Sequence, residues 1–171
     1  MDTFEAIISR RSIRHFSDEL IDQEIIQKLL IAGMQAPSAR NTQSWSFVVI
    51  DDRNILKEIA KFHPYADMLR EAPLAIAVCG DFKLEESVDY LALNCAAATE
   101  NILLAAHSFG LGAVWLGIHP RKKRVENLRE LLNLPEDIIP ISLVAIGHPT
   151  EQKSKINRFD PNKIRYNQGR K

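Results

Sequence analysis

The sequence of 171 residues is poor in cysteine and carries no excess of charge of either sign. Its two cysteines, Cys79 and Cys95, lie in apolar or alanine-rich surroundings and form no CxxC spacing. A disulfide or zinc site therefore has little support, and both thiols are predicted to be small buried side chains. Because 22 Lys and Arg balance 22 Asp and Glu, no general attraction to nucleic acid or to an anionic membrane is expected.

The sequence also lacks an apolar run long enough to span a membrane. Its N-terminus, "MDTFEAIIS", is acidic and lacks the charged-then-apolar pattern of a secretory leader. We therefore expect a cytoplasmic protein, and the length favours a single domain over residues 1–171.

Common nucleotide and catalytic motifs are missing as well. The segment "GLGAVWLG" (110–117) has Trp115 where a dinucleotide fingerprint needs its third glycine, and the predicted helix precedes the glycines instead of following them. No Walker or GxSxG motif occurs. The histidines show no metal-ligand spacing and are interpreted as surface or loop residues without an assigned role: His15, His63, His107, His119 and His148.

Hydrophobic periodicity predicts alternating helices and short strands. Asp2, with Glu5 three residues later, is the predicted cap of a first helix that ends near Arg10. Asp22 is the predicted cap of a second helix, which ends before Pro37. Further helices are predicted over "RNILKEIAKF" and "RKKRVENLRELLNL". Strands are predicted over "SWSFVVI", "LAIAVCG", "GAVWLG" and "PISLVAIGHP".

One predicted helix, from about Leu84 to Phe109 and closed by Gly110, is apolar around most of its circumference. Such a helix is buried deep in a core or in an interface. The segment from Thr150 to Lys171 is polar and offers almost no core material. It is either disordered or laid across a partner, and both alternatives remain open.

Two stretches suggest a binding site. "RRSIRHF" (10–16) places three arginines around Ser12, which either complement the end of a helix or form a cage for a phosphate. "APSARNTQSW" (36–45) is dense in amides and hydroxyls, which either terminate a helix or recognise a neutral heterocycle or sugar.

Four segments together resemble the nitroreductase-like family of FMN-dependent oxidoreductases in order and spacing. They are the two stretches above, the segment "GLGAVWLG", and the segment "LRELLNLPEDIIPISLVAIGHP" with its polar tail. The resemblance covers nearly the whole chain. It implies an α+β fold with a mostly antiparallel central sheet flanked by helices. It also implies an intertwined homodimer with FMN at the interface, the long helix at the dimer centre, and residues 150–171 as a tail reaching over the partner subunit.

The resemblance also implies roles for residues of the first stretch. Arg10 and Ser12 would face the phosphate and ribityl end of FMN, and Arg11 would contribute mainly through its backbone. Arg14 would point at the pyrimidine edge of the flavin, where a cation stabilises the anionic reduced form.

Further cofactor-binding positions follow from the other matching segments. The backbone of Leu116 and Gly117 would lie beside flavin N5 and O4, with Val114 beneath the ring. Arg158 would supply a second cation to the phosphate, with Lys155 beside it. The partner subunit would place its second stretch against the ring system, through residues Pro37, Ser38, Ala39, Asn41 and Gln43.

The implied activity is hydride transfer from NAD(P)H to flavin N5 and then to a nitro compound or quinone in the same pocket, with ping-pong kinetics and no protein acid or base. The alternatives are specialised flavin chemistry such as reductive dehalogenation, a module that stores or senses FMN without turnover, and a helical interaction protein. Ser44 replaces a proline frequent in the family, and Leu116 replaces an acidic residue of some relatives. The physiological acceptor, the preference between NADH and NADPH and the oxygen sensitivity are not predicted.

Overall fold

The computed structural model describes residues 1–167. Within them the chain forms five α-helices and four β-strands. The helices are α1 (Thr3–Ser9), α2 (Gln23–Met34), α3 (Arg53–Phe62), α4 (Val88–Ser108) and α5 (Lys122–Leu131). The strands are β1 (Trp45–Ile50), β2 (Leu74–Asp81), β3 (Gly112–Gly117) and β4 (Ile138–Gly147).

The four strands form one antiparallel sheet in the order β1-β2-β4-β3. Both central strands, β2 and β4, are buried along nearly their whole length, because helices cover both faces of the sheet. This explains why their sequences are almost continuously apolar instead of alternating. β3 is an edge strand, and its free edge meets residues 12 and 13 near the N-terminus.

Two apolar clusters fill the layers on either side of the sheet. Helices α2 and α4 pack against one face, where Ile76 and Val78 of β2 meet Ile102 of α4. Helices α3 and α5 cover the other face, where Ala75 and Ala77 of β2 point. The alternation of β2 side chains between the clusters follows from the two-residue period of a strand. The predicted α+β architecture is therefore confirmed.

Helix α4 begins four residues later than the sequence predicts. Residues before it form a turn, in which the Asp81 carbonyl accepts the Leu84 and Glu85 N–H groups, and Ser87 caps the helix. The expected start at Leu84 is wrong because this turn uses the local backbone groups. Gly110, with φ of 79°, follows the end of the helix as predicted.

Helix α4 is not enclosed on all sides by its own chain. Leu93 is 64% exposed, and Tyr90 is also exposed on this helix. Helix α1 likewise presents Phe4, Ile7 and Ile8 outward, and Phe4 is 72% exposed. These apolar side chains form no part of the two clusters, which leaves an apolar surface available to another molecule.

The segment after β4 contributes little to the core, as the sequence predicts. Residues 152–159 and 161–167 are exposed, although Thr150 donates its N–H to the His15 carbonyl and so ties the start of the segment to the sheet edge. One helix cap differs from expectation, because Asp22 forms no side-chain hydrogen bond at the start of α2. Within residues 1–167 no helix has the length and hydropathy needed to cross a membrane.

Candidate active site

The structure brings together four predicted cofactor-binding residues from opposite ends of the chain. Arg10 and Arg11 follow α1, and Lys155 and Arg158 lie on the C-terminal segment. They line a groove of about 630 Å³, here called the cation groove. Apolar side chains, one amide and one carboxylate complete its lining: Phe4, Ile7, Ile8, Ile156, Phe159, Asn157 and Glu100.

Arg10 is the most enclosed cation of this groove. Its Nε atom is buried and forms no hydrogen bond with any group that the structure describes. Its nearest charged neighbour is Glu100 Oε1 on α4, 3.4 Å from Nε without hydrogen-bond geometry. A buried N–H without an acceptor is costly. The arrangement therefore leaves a donor for which the chain itself provides no good acceptor.

The Arg11 side chain has a structural role that the sequence did not predict. Its guanidinium donates to the Ile8 carbonyl of α1 (3.1 Å) and to the Ser154 and Ile156 carbonyls of the C-terminal segment (3.0 and 3.4 Å). The side chain therefore satisfies a free carbonyl at the helix end and holds the C-terminal segment beside it. A contribution mainly through the Arg11 backbone stays a prediction, but its side chain has a clear structural function.

Ser12 and Arg14 connect the cation groove to the sheet. Ser12 pairs with Ala113 at the free edge of β3, and its carbonyl accepts a hydrogen bond from Lys153 Nζ (2.8 Å). The Arg14 N–H donates to Glu151 Oε1 (2.6 Å), and this bond lowers the pKa of the Glu151 carboxyl. Residues 10 to 14 span at most about 14 Å.

The Arg14 side chain lines a second cavity of about 450 Å³, here called the strand-end pocket. The pocket lies at the C-terminal end of β3, beside Leu116 and Gly117. A Cβ atom placed on Gly117 would meet nothing within 4 Å, so the space over this residue is open. The rest of the lining comes from β3, the loop after α3 and the start of α5: His63, Tyr65, Asp67, Met68, Trp115 and Arg124.

Along β3, the N–H and carbonyl groups of every second residue point to the free edge of the sheet, where this pocket lies. The Ala113 carbonyl accepts the Ile13 N–H at the free edge, whereas the Ile118 N–H turns inward to the Ile141 carbonyl of β4. The two-residue period of a strand then assigns the Leu116 groups to β4 and the Gly117 groups to the free edge. The buried Val114 and Leu116 side chains belong to the core, so these residues offer backbone and not side-chain chemistry.

His63 is a site residue that sequence reasoning missed. His63 lies in the loop after α3, as interpreted, but it is not at the surface, because it is 2% exposed and its Nε2 lies 3.0 Å from the Gly117 carbonyl. Burial lowers the pKa of its imidazole. Arg124 donates to the same carbonyl at 2.8 Å. The sequence offered two weak signals, a histidine and tyrosine in "HPYAD" and the basic start of α5.

The second predicted stretch forms a rigid polar loop. Arg40, Asn41 and Gln43 all have positive φ, between 47° and 56°, which is unusual for residues with side chains. The loop is held internally, since the Gln43 N–H donates to Ser38 Oγ (2.9 Å) and its side-chain Nε2 donates to Asn41 Oδ1 (3.1 Å).

Helix α4 and the turn before it hold the loop from below. The buried Asn94 accepts the Ala39 N–H (2.9 Å) and donates to Ser44 Oγ (3.0 Å). Arg40 pairs at 2.6 Å with Glu85, whose side chain is 1% exposed, and this hydrogen bond lowers the pKa of the Glu85 carboxyl. The predicted cofactor-binding residues of this loop line neither the cation groove nor the strand-end pocket of their own chain: Pro37, Ser38, Ala39, Asn41 and Gln43.

Comparison with known proteins places this arrangement among flavoprotein-like α+β folds. The family model described as "Nitroreductase family" matches residues 7–148. A provisionally named NADH dehydrogenase/NAD(P)H nitroreductase of Methanothermobacter thermautotrophicus is 45% identical over 164 residues, which cover 96% of this chain and 86% of that protein.

Solved structures give the same result. A provisionally named NADH dehydrogenase/NAD(P)H nitroreductase from Parabacteroides distasonis has a TM-score of 0.93 at 39% identity, covering 96% of this chain and 97% of the other. A provisionally named nitroreductase from Desulfovibrio desulfuricans, solved in complex with FMN, has a TM-score of 0.84 at 32% identity, covering 96% and 95%. This chain belongs to the nitroreductase family.

Proposed function

We propose that this chain is an FMN-dependent NAD(P)H oxidoreductase that reduces a small aromatic acceptor, either a nitro compound or a quinone. Family membership and the names of its relatives, which include NAD(P)H nitroreductases and an FMN complex, support the use of both FMN and NAD(P)H. The acceptor, the order of events and a cytoplasmic location stay predictions.

The cation groove fits the phosphate of FMN. A phosphate provides several oxygen acceptors, and Arg10 has a buried Nε without one. Arg158 and Lys155 approach the same groove from the C-terminal segment, although Lys155 also pairs with Glu5. Guanidinium groups from both ends of the chain would therefore neutralise the phosphate, with Ser12 beside them.

The strand-end pocket fits the edge of a flat ring that is rich in acceptors. Arg14 would face the pyrimidine edge, and the Gly117 N–H at the free sheet edge is suited to the N5 and O4 region. The open space over Gly117 admits a ring close to the backbone. Leu116 would contribute by fixing the strand, since its own groups face β4.

The dimer is also part of the proposal. The predicted residues of the loop line neither the cation groove nor the strand-end pocket of their own chain: Pro37, Ser38, Ala39, Asn41 and Gln43. They would therefore reach a flavin only from the partner subunit. The exposed apolar side chains of α1 and α4 provide a surface for that partner. Residues 150–171 would extend over it, and residues 168–171 lie outside the described part of the chain.

Bound FMN would supply the redox chemistry, because its N5 accepts a hydride from NAD(P)H and returns it to an acceptor. Arg14 would hold the pyrimidine edge of the ring, and the cation groove would hold the phosphate. One pocket serves donor and acceptor in turn, so we expect ping-pong kinetics. We assign no side chain of this protein as acid or base.

The buried Arg10 Nε, which forms no hydrogen bond in a groove lined by cations from both ends of the chain, is the observation that carries the proposal. The test is the absorption spectrum of the purified protein after FMN saturation and gel filtration, followed by anaerobic titration with NADH and with NADPH. The proposal is supported if the protein retains flavin, if NADH or NADPH bleaches the flavin absorption, and if a quinone restores it. Retained flavin that neither nicotinamide reduces would favour storage or sensing, and a colourless protein would contradict FMN binding.

A further inference from the structure

The carbonyl oxygen of Gly117 accepts hydrogen bonds from two side chains on different elements. His63, directly after α3, lies 3.0 Å from this oxygen through Nε2, and Arg124 of α5 lies 2.8 Å from it. A carbonyl oxygen has two lone pairs, so its hydrogen-bonding capacity is filled. Two side chains from the layer of α3 and α5 therefore fix the end of an edge strand.

The hydrogen bonds around His63 specify its tautomer. The Tyr65 N–H donates to His63 Nδ1 at 3.2 Å, so Nδ1 is an acceptor, and Nε2 must then carry the proton that faces the Gly117 carbonyl. Both ring nitrogens are satisfied by a neutral imidazole. A protonated ring would instead direct an N–H at the Tyr65 N–H.

Arg124 adds a charge as well as a donor. Its guanidinium carbon lies 5.7 Å from the centre of the Tyr65 ring, a cation–π distance. Tyr65 also stands edge-on to the His63 ring, with 6.4 Å between centroids. The three side chains thus support one another around Gly117, and Arg124 is the second arginine of the strand-end pocket after Arg14.

Gly117 needs the support of His63 and Arg124 because of its residue type and its position in the sheet. Gly117 has no side chain to restrict its dihedral angles, and it ends an edge strand with no neighbouring strand on its outer side. Hydrogen bonds to β4 hold the preceding residue, whereas His63 and Arg124 hold the Gly117 carbonyl. The direction of the Gly117 N–H is thereby restricted from both sides.

We propose that His63 and Arg124 are positioning residues that hold the Gly117 carbonyl and so fix the residue with its own N–H toward the strand-end pocket, and that Arg124 adds positive charge there. This inference rests on the proposed function, in which that N–H meets the flavin. Both effects favour the reduced flavin, because its anionic form carries more negative charge over the pyrimidine ring, from N1 to O4, than the oxidised form does.

The test uses two removal variants, two conservative variants and one control. Arg124→Met and His63→Leu remove the donors. Arg124→Lys keeps a charge and one donor, and His63→Gln keeps a donor for the carbonyl and an acceptor for the Tyr65 N–H. Lys123→Met removes a neighbouring exposed charge outside the pocket. The readouts are the Kd for oxidised FMN, the visible spectrum and the midpoint potential of the bound flavin.

We expect Arg124→Met and His63→Leu to change the Kd for oxidised FMN less than threefold. The preference for reduced over oxidised flavin should fall about tenfold, as for one weakened hydrogen bond, which lowers a two-electron potential by about 30 mV. The visible band should shift in the same variants. Arg124→Lys and His63→Gln should recover part of both effects, and Lys123→Met should resemble the wild type.

A readout without flavin tests the positioning directly. The ¹⁵N chemical shifts of His63 in the FMN-free protein should show a neutral ring protonated on Nε2 at pH 7. A ring protonated on Nδ1, or a charged ring, would overturn the assignment.

The outcomes separate this inference from the proposed function. A wild-type protein that binds no FMN would refute the proposed function and this inference together. A wild type that binds FMN and is reduced by NAD(P)H, alongside folded Arg124→Met protein with unchanged spectrum and potential, would overturn only the inference. Arg124 is partly exposed, so its variant remains informative even if His63→Leu fails to fold.

Discussion

The two stretches that the sequence singled out, residues 10–16 and 36–45, are built in opposite ways. The loop at 36–45 satisfies itself, because Asn94 from α4 and the Arg40–Glu85 pair hold a backbone with three positive φ values. The cation groove is incomplete, since Arg10 Nε is buried without a hydrogen bond and the apolar face of α1 is exposed. A self-satisfied loop can support a ligand without reorganising, whereas an incomplete groove gains most from a bound anion.

Backbone strain fits this division. Positive φ at a residue with a side chain persists only where the surroundings enforce it, and such residues concentrate at functional sites. The two side chains that hold it here, Asn94 of α4 and Glu85 of the preceding turn, are buried in the same chain. The loop is therefore a preformed surface, and the cation groove is the part that depends on its ligand.

The largest expected effect comes from breaking the groove. Arg10→Ala should weaken FMN binding by about 10- to 150-fold, because a charge-assisted contact contributes about 1.5–3 kcal/mol. The free protein should not lose stability in proportion, since the Arg10 Nε has no hydrogen bond to lose. Flavin fluorescence titration measures the Kd, with Lys57→Ala on the exposed side of α3 as the control. Equal affinity in both variants would show that the arginines only decorate a helix end.

Breaking the loop should give the opposite pattern. Asn94→Ala leaves the Ala39 N–H and Ser44 hydroxyl without their buried partner, so the free energy of unfolding should fall by about 1–3 kcal/mol even without flavin. Urea unfolding measures this loss, and Asn127→Ala on the exposed face of α5 should be nearly neutral. An Asn94→Ala protein as stable as the wild type would mean that the loop does not depend on α4.

The pH dependence of stability should reflect two histidines that lie outside the loop at 36–45. Burial lowers the pKa of both His63 and His107, and His107 also lies near Arg10 and Arg11. For a base whose folded pKa is depressed, the unfolded chain binds more protons just below the ordinary value, about 6.5. Stability should therefore be full above that pH and fall as the pH drops below it.

Chemical unfolding between pH 5 and pH 8 checks this expectation, and His63→Gln should flatten part of the slope. A stability that rises as the pH falls through this range would contradict the depressed pKa values.

Particular residues show which parts of the fold and of the candidate site the sequence could predict. Periodicity located α2, α3 and the four strands, because a two-sided sheet imposes long apolar runs on β2 and β4. The turn before α4 combines local hydrogen bonds to the Asp81 carbonyl with a pair between Glu85 and Arg40, which lies 45 residues away and which local patterns could not reveal. His63 was missed for the same reason, since its partner, Gly117, is 54 residues distant.

The smallest expected effect is at the rim of the cation groove. Lys155 is exposed and pairs with Glu5 of α1, and exposed ion pairs contribute little because water and salt screen them. Lys155→Ala should leave the urea midpoint unchanged within error and weaken FMN binding only a few-fold at low salt. The loss should shrink further at 0.5 M salt. A loss as large as that of Arg10→Ala would assign the main phosphate contact to the C-terminal segment.

The most direct test of the central claim is sedimentation velocity of the FMN-saturated protein, recorded at both 280 nm and the flavin absorption band near 450 nm. In the proposed homodimer, cations from both ends of each chain bind a phosphate. We therefore expect one dimeric boundary that carries two FMN per two chains. A monomeric boundary that carries no flavin at saturating FMN would contradict the account.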